Sequence, residues 1–206
     1  MRPFREVCCP TLDAVAAAVA AGADRIELCE RLDVGGVTPS EELIRAALEV
    51  AGTVPVNVLI RPREGDFVYD EAETAQMMDF IALCKRLGVN GVVIGALRPD
   101  GSVDMALMRK LVEAARPLSI TFHRAFDECG DVFAALENII SLGIDRLLTS
   151  GHSADAWEGR YMLRELVDRA AGRIVIMPGC GITPANLPEI AAVTRAAEFH
   201  GSRILG

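Results

Sequence analysis

The 206-residue sequence predicts one α/β domain, a compact TIM-type (β/α)8 barrel lacking its last helix. Three observations predict it. Short apolar or β-branched runs alternate eight times with longer segments of helical period, so the strands pair in parallel through right-handed helical crossovers. Each unit takes about 26 residues, compact for such a barrel but within its range. Finally, no G-x-G-x-x-G follows the first strand, which disfavours the alternative, an open doubly wound sheet.

The elements follow in order. The first strand spans residues 5–9, and a helix over 11–21 starts at Thr11 with Asp13 and ends at Gly22. The second strand, 25–29, precedes a helix over 40–50 opened by Thr38-Pro39-Ser40. The third strand, 54–61, is rich in valine, and the helix over 71–87 stops at Gly88. Strands over 91–95 and 118–124 enclose a helix over 105–115, and the helix over 132–142 ends at Gly143. The sixth strand, 146–149, is followed by a helix over 161–171 that Gly172 terminates, a left-handed position glycine fills without steric cost. A strand over 173–177, a helix over 184–193 begun by Thr183-Pro184 and a strand over 197–200 complete the set. The sequence stops at Gly206, six residues past that strand, so the face between the first and seventh helices is expected to be open or covered by a second subunit.

Composition narrows the function. Hydrophobic residues make up 51% of the chain, enough for a large core and too many for a disordered segment. The formal net charge of −8, without a basic cluster, excludes nucleic acid as the expected partner. No apolar run reaches the roughly 18–20 residues of a membrane span. Arg2, Arg5 and the alanine-rich stretch from Ala14 to Ala21 imitate a secretory signal, but Glu6 and Asp13 interrupt it. A cytoplasmic protein is expected, with its six cysteines as thiols, ligands or core residues, and no C-x-x-C marks a zinc ribbon.

Strand alternation then sorts the side chains. Val7 and Cys9 face the helices, leaving Glu6 and Cys8 inside; Ile26 and Leu28 face out, leaving Glu27 and Cys29 inside. The same rule turns Asn57, Leu59, Arg61, Thr121, His123, Glu198 and His200 inward. Barrel interiors are normally filled by Val, Ile and Leu, so carboxylates, thiols, histidines and an arginine there must pair or do chemistry. The three glutamates are expected either to pair with Arg61 or to orient the histidines. Cys8, Cys29, Arg61, His123 and His200 lie nearest the C-terminal strand ends, where barrel active sites sit. Arg63 and Arg124 join Arg61 as candidate anion donors, together with Ser150, Gly179, Gly181 and Ser202 in the late loops, which in barrels often hold phosphate. Tight strand-to-helix turns would equally account for those glycines.

Several segments are familiar as a set: REVCCP at 5–10, GADRIELCE at 22–30, GGVTPS at 35–40, IRPREGDFVY at 60–69, TFHRAFD at 121–127, LTSG at 148–151, MPGCGI at 177–182 and EFH at 198–200. In order and nearly end to end, they make the chain resemble the CutC family of copper homeostasis proteins. The resemblance implies a cytoplasmic TIM barrel, a homodimer or higher homo-oligomer, and copper handling with Cu(I) held by Cys8 and Cys29. Physical chemistry agrees, since thiolates favour Cu(I) and adjacent strands about 4.8 Å apart bring two sulfurs to one metal. Zinc accepts the same donors, and paired cysteines also occur as plain core residues.

The enzymatic alternative is an isomerase or hydrolase, metal-assisted or not, for a small anionic or phosphorylated metabolite. His123 and His200 are its candidate acid–base groups, with Glu27 among the carboxylates that tune them. A Schiff-base aldolase is excluded, because only Lys85 and Lys110 are lysines and both fall on predicted helices.

Overall fold

In the computed structural model, which describes residues 2–206, the eight predicted strands and seven predicted helices all form. They are β1 (Phe4–Cys9), α1 (Leu12–Ala20), β2 (Arg25–Leu28), α2 (Glu41–Ala51), β3 (Val56–Leu59), α3 (Glu71–Leu87), β4 (Gly91–Ile94) and α4 (Met105–Ala115). Then come β5 (Ser119–Phe122), α5 (Val132–Ser141), β6 (Arg146–Thr149), α6 (Arg160–Ala170), β7 (Val175–Pro178), α7 (Leu187–Thr194) and β8 (Glu198–Gly201). All ladders are parallel, in the order β7-β6-β5-β4-β3-β2-β1-β8, which brings β7 and β8 together in a nearly closed barrel. Among the described residues no helix is long and apolar enough to cross a membrane.

Local chemistry sets the boundaries. Thr11 and Ser40 cap α1 and α2, each accepting from a backbone N–H of the first turn. Asp70 and Glu73 form a reciprocal capping box at α3, and Gly88 closes that helix with φ of 75°. Two of the middle strands are shorter than the sequence predicts. β3 covers four residues of the expected eight, and Arg124 leaves β5 to enter a 3-10 turn over Arg124–Glu128. His123 stands just before that turn as its N-terminal cap.

The strand register divides the side chains into two layers. Val7, Cys9, Ile26, Leu28, Val56, Val58 and Ile60 join the apolar layer under the helices. Cys8, Cys29, Leu59 and Val93 make a separate small cluster inside the barrel. Beneath it lies a floor of charge. Arg25 donates to Glu6 at 2.5 Å and to Glu198 at 2.6 Å, and Arg146 reaches Glu198 at 2.8 Å. Glu6 and Glu198 therefore pair with Arg25 and Arg146 rather than with Arg61, Glu6 also orients His200, and Glu27 pairs with no arginine among the described residues. The reason is depth: Arg25 lies level with Glu6 in the β1–β2 register, whereas Arg61 lies past the end of β3.

Candidate functional site

The cavity at the C-terminal ends of the strands has a volume of about 640 Å³. Cys8, Glu27 and His200 form its inner wall, each presenting one ligand atom within 4.8 Å of the others. Cys8 lies opposite Glu27 in the β1–β2 register, and Glu6 opposite His200 in the β1–β8 register. The Sγ atoms of Cys8 and Cys29 are 3.5 Å apart, and Cys8 Sγ stands 3.7 Å from Glu27 Oε1. Both thiols are buried, and all six cysteines are free.

Environment sets the protonation states. Burial works against ionisation of Glu6, but the His200 hydrogen bond and the Arg25 charge prevail and hold its pKa at about 2. The ionised Glu6 sits 2.8 Å from His200 Nδ1, which fixes the tautomer and turns Nε2 toward Glu27, 4.0 Å away. His200 is raised, because the charges of Glu27 and Glu6 and the Glu6 hydrogen bond outweigh the burial that opposes its protonation. Glu27 shifts upward, chiefly through burial, and its Oε2 has no partner. The neighbouring Cys29 thiol, then burial and the Glu27 charge, push Cys8 well above the usual thiol range. Burial also pushes Cys9, Cys84 and Cys129 up to about 12, as expected of inert core thiols.

The other predicted residues separate. His123 lies on the cavity wall with its ring 4.9 Å from Phe67; burial first, then the Arg61 charge, lowers it to about 3. Its Nδ1 accepts from Ala125 N–H, so the proton of the neutral ring is on Nε2, which is enclosed and has no partner. Arg61 also lines the cavity, but its guanidinium donates to the carbonyls of Val34, Gly36 and Gly65 and so ties two loops together. One of those loops brings Gly36 so near Cys29 that a side chain there would stand 2.8 Å from Leu59 and 3.4 Å from Cys29. Arg63 is turned away from the cavity, onto Glu73, Asp66 and the Val68 carbonyl. Arg124 and Gly181 line it, as does Ser202, while Ser150 and Gly179 stand behind the lining. A side chain at Gly179 would press on Leu148 and His200.

Four contributors escaped the sequence reading. Arg25 was detectable, since the alternation that turns Glu27 inward turns Arg25 inward as well. On β6 the rule is undecided, since Leu147 and Leu148 are both apolar, so Arg146 was not legible. Asp127 carries no such signal: its carboxylate accepts from Thr149 Oγ1, Ser150 N and Oγ, and His152 N, across more than twenty residues of chain. The cavity also takes in Cys180, the one cysteine that is partly exposed.

Fold and site together define a TIM-barrel protein whose mouth sets paired thiols beside an imidazole and carboxylates. The chain belongs to the CutC family, whose profile matches residues 4–205. The family protein CutC of Parabacteroides distasonis is 51% identical over 202 residues, covering 98% of this chain and 83% of that one. The human copper homeostasis protein cutC homolog is 46% identical over 197 residues, covering 96% of this chain and 72% of that one. The crystal structure of a CutC protein from Streptococcus agalactiae superposes with a TM-score of 0.94 at 33% identity, over 98% of this chain and all of that one. An aldolase, QR15, superposes with a TM-score of 0.69 at 15% identity over 98% of this chain and 91% of that one, a likeness of fold alone.

Proposed function

We propose that the chain handles Cu(I) as cargo, holding it between Cys8 Sγ and Cys29 Sγ with His200 Nε2 as the third donor. The observation that carries this is Cys8 Sγ, 3.5 Å from Cys29 Sγ and within 4.8 Å of a ring nitrogen of His200, whose tautomer Glu6 fixes. Two thiols and an imidazole are the soft donor set that suits Cu(I), and a carboxylate behind the histidine is the usual support of a metal-binding imidazole. The thiol protons must leave on binding, and Glu27 Oε1 beside Cys8 is placed to accept one. Thiol ligands need a reducing compartment, which supports a cytoplasmic location.

An anaerobic Cu(I) competition titration of the reduced protein tests this. Tight one-to-one binding is expected, lost in the Cys8→Ser, Cys29→Ser double variant and tightening as pH rises. Glu6→Gln is expected to weaken binding about 10- to 100-fold through His200. Equal affinity of the double variant and the parent would overturn the assignment.

A second reading is favoured by the size of the cavity. At about 640 Å³ it is in the range of small-molecule sites, far beyond the needs of one ion. A small organic anion bound there would meet Glu27, His200 and His123, groups fit for proton transfer in an isomerase or hydrolase, with or without metal assistance.

A further inference from the structure

Cys8, Glu27 and His200 line one part of this cavity, and the loops that follow β7 and β8 line another. Among the described residues, the backbone N–H groups of Cys180, Gly181 and Ile182 after β7, and of Ser202 and Arg203 after β8, have no protein acceptor. All five residues line the cavity. Gly179, one step earlier, does not share this property, since its N–H donates to Thr149 O in the ladder direction. Arg203 is exposed, lines the same end and has no ion-pair partner among the described residues.

The neighbouring strand shows what such a strand end holds. Past β6, Ser150 N–H and His152 N–H converge with two hydroxyls on one anion, the carboxylate of Asp127. Among the described residues no carboxylate accepts from the amides after β7 and β8, and Asp155, which packs beside Gly181, accepts from Glu158 N–H instead. At the other end of the cavity His123 is 5% exposed and lines the wall, while its Nε2–H, enclosed against Gly95, has no acceptor among the described residues. Unpaired buried donors are rare in native proteins and call for an explanation.

We propose that the unpaired amides after β7 and β8, with the Arg203 guanidinium, bind the phosphate of a small phosphorylated metabolite whose oxygen-bearing end extends toward His123. Phosphate suits this place better than carboxylate because it offers more acceptor oxygens, enough for amides from two loops and a guanidinium together. The inference rests on the organic-anion reading of the cavity and gives that ligand a class; it requires no metal at Cys8 and Cys29.

The test uses metal-free, reduced protein titrated with inorganic phosphate, glycerol 3-phosphate and malonate, followed through amide 1H–15N spectra. Saturable shifts at Gly181, Ile182, Ser202 and Arg203 are expected with both phosphates, tighter for the ester. Arg203→Glu and Ser202→Asp alter exposed side chains, so the unfolding midpoint without ligand should stay put while phosphate affinity falls about tenfold or more. Malonate shifting these amides in place of the phosphates overturns the phosphate assignment and leaves the organic-anion reading standing. Silence of these amides toward all three probes, or phosphate affinity unchanged in both variants, overturns the site itself.

Discussion

Glu6 and Glu27 are both buried, yet their pKa values move in opposite directions, and partners make the difference. Glu6 has Arg25 and His200, whereas Glu27 has a thiol at 3.7 Å and one oxygen without a partner. With a folded pKa of about 2 against 4.5, Glu6 contributes stability that is complete above pH 4.5 and is lost as pH falls toward 2. That contribution is on the order of 3 kcal/mol. His123 acts in the same direction over a higher window: at about 3 against 6.5, it stays neutral while the unfolded chain takes up a proton, so stability falls as pH drops below 6.5. His200, raised, opposes this, since its contribution is present below 6.5 and is lost as pH rises through its folded pKa. Denaturant melts across this range should therefore show two acid-side declines. Glu6→Gln should be less stable than the parent at pH 7, by about 3–5 kcal/mol, and should lose the lower decline while keeping the upper one. Parallel pH curves for variant and parent would contradict the assignment to Glu6. Nitrogen NMR of the rings supplies a second check, with His123 expected as the Nε2–H tautomer at pH 5.

The loops at the strand ends are where the sequence was least informative. Strand alternation alone placed Cys8, Glu27, Cys29, Leu59, His123 and His200 inside the barrel, because the period of two is fixed by the pleat. It had no means of showing that Arg61 is consumed by three carbonyls, or that Arg63 folds onto Glu73. Both arginines sit in irregular backbone, where neighbours come from distant parts of the chain. Asp127 is the extreme case, a residue of a 3-10 turn that organises the loop after β6. Asp127→Ala should leave the Thr149 hydroxyl and two amides without their acceptor and Arg124 without its ion-pair partner, while Ser150 Oγ keeps the Ser153 carbonyl, at a cost of about 3 kcal/mol. For a chain of this length that is roughly 6–12 °C in Tm. The same variant should raise hydrogen exchange at Ser150 and His152 more than at β4. A Tm within about 2 °C of the parent would mean that the loop holds its shape without the carboxylate.

At the scale of the whole barrel, closure is the open question, because the sheet order ends at β7 on one side and β8 on the other. The two strands lie side by side, yet no ladder pairing joins them among the described residues. What crosses the interior instead is charge. Glu198 on β8 accepts from Arg146 on β6 and from Arg25 on β2, and Arg25 continues to Glu6 on β1. Arg146 also donates to Ser119 on β5, and Arg25 touches Met177 on β7. One carboxylate thus ties the strand beyond the seam to strands on both sides of it. Burying such a network gains little over an apolar floor, but breaking it leaves two arginines with one anion fewer in a nearly closed space. Glu198→Ala should therefore cost about 3 kcal/mol, the lower end of the range for a buried pair, since Glu198 keeps a 16% exposed side chain. The distribution of that loss is the sharper test. Hydrogen exchange should accelerate in β7 and β8, where no shared ladder resists opening, and stay near the parent's in β3 and β4, whose two ladder neighbours remain. Glu198→Gln, which keeps the shape and one acceptor oxygen, should fall between. An even rise in exchange around all eight strands would mean that the barrel opens as one unit, with the charged floor adding stability but holding no seam.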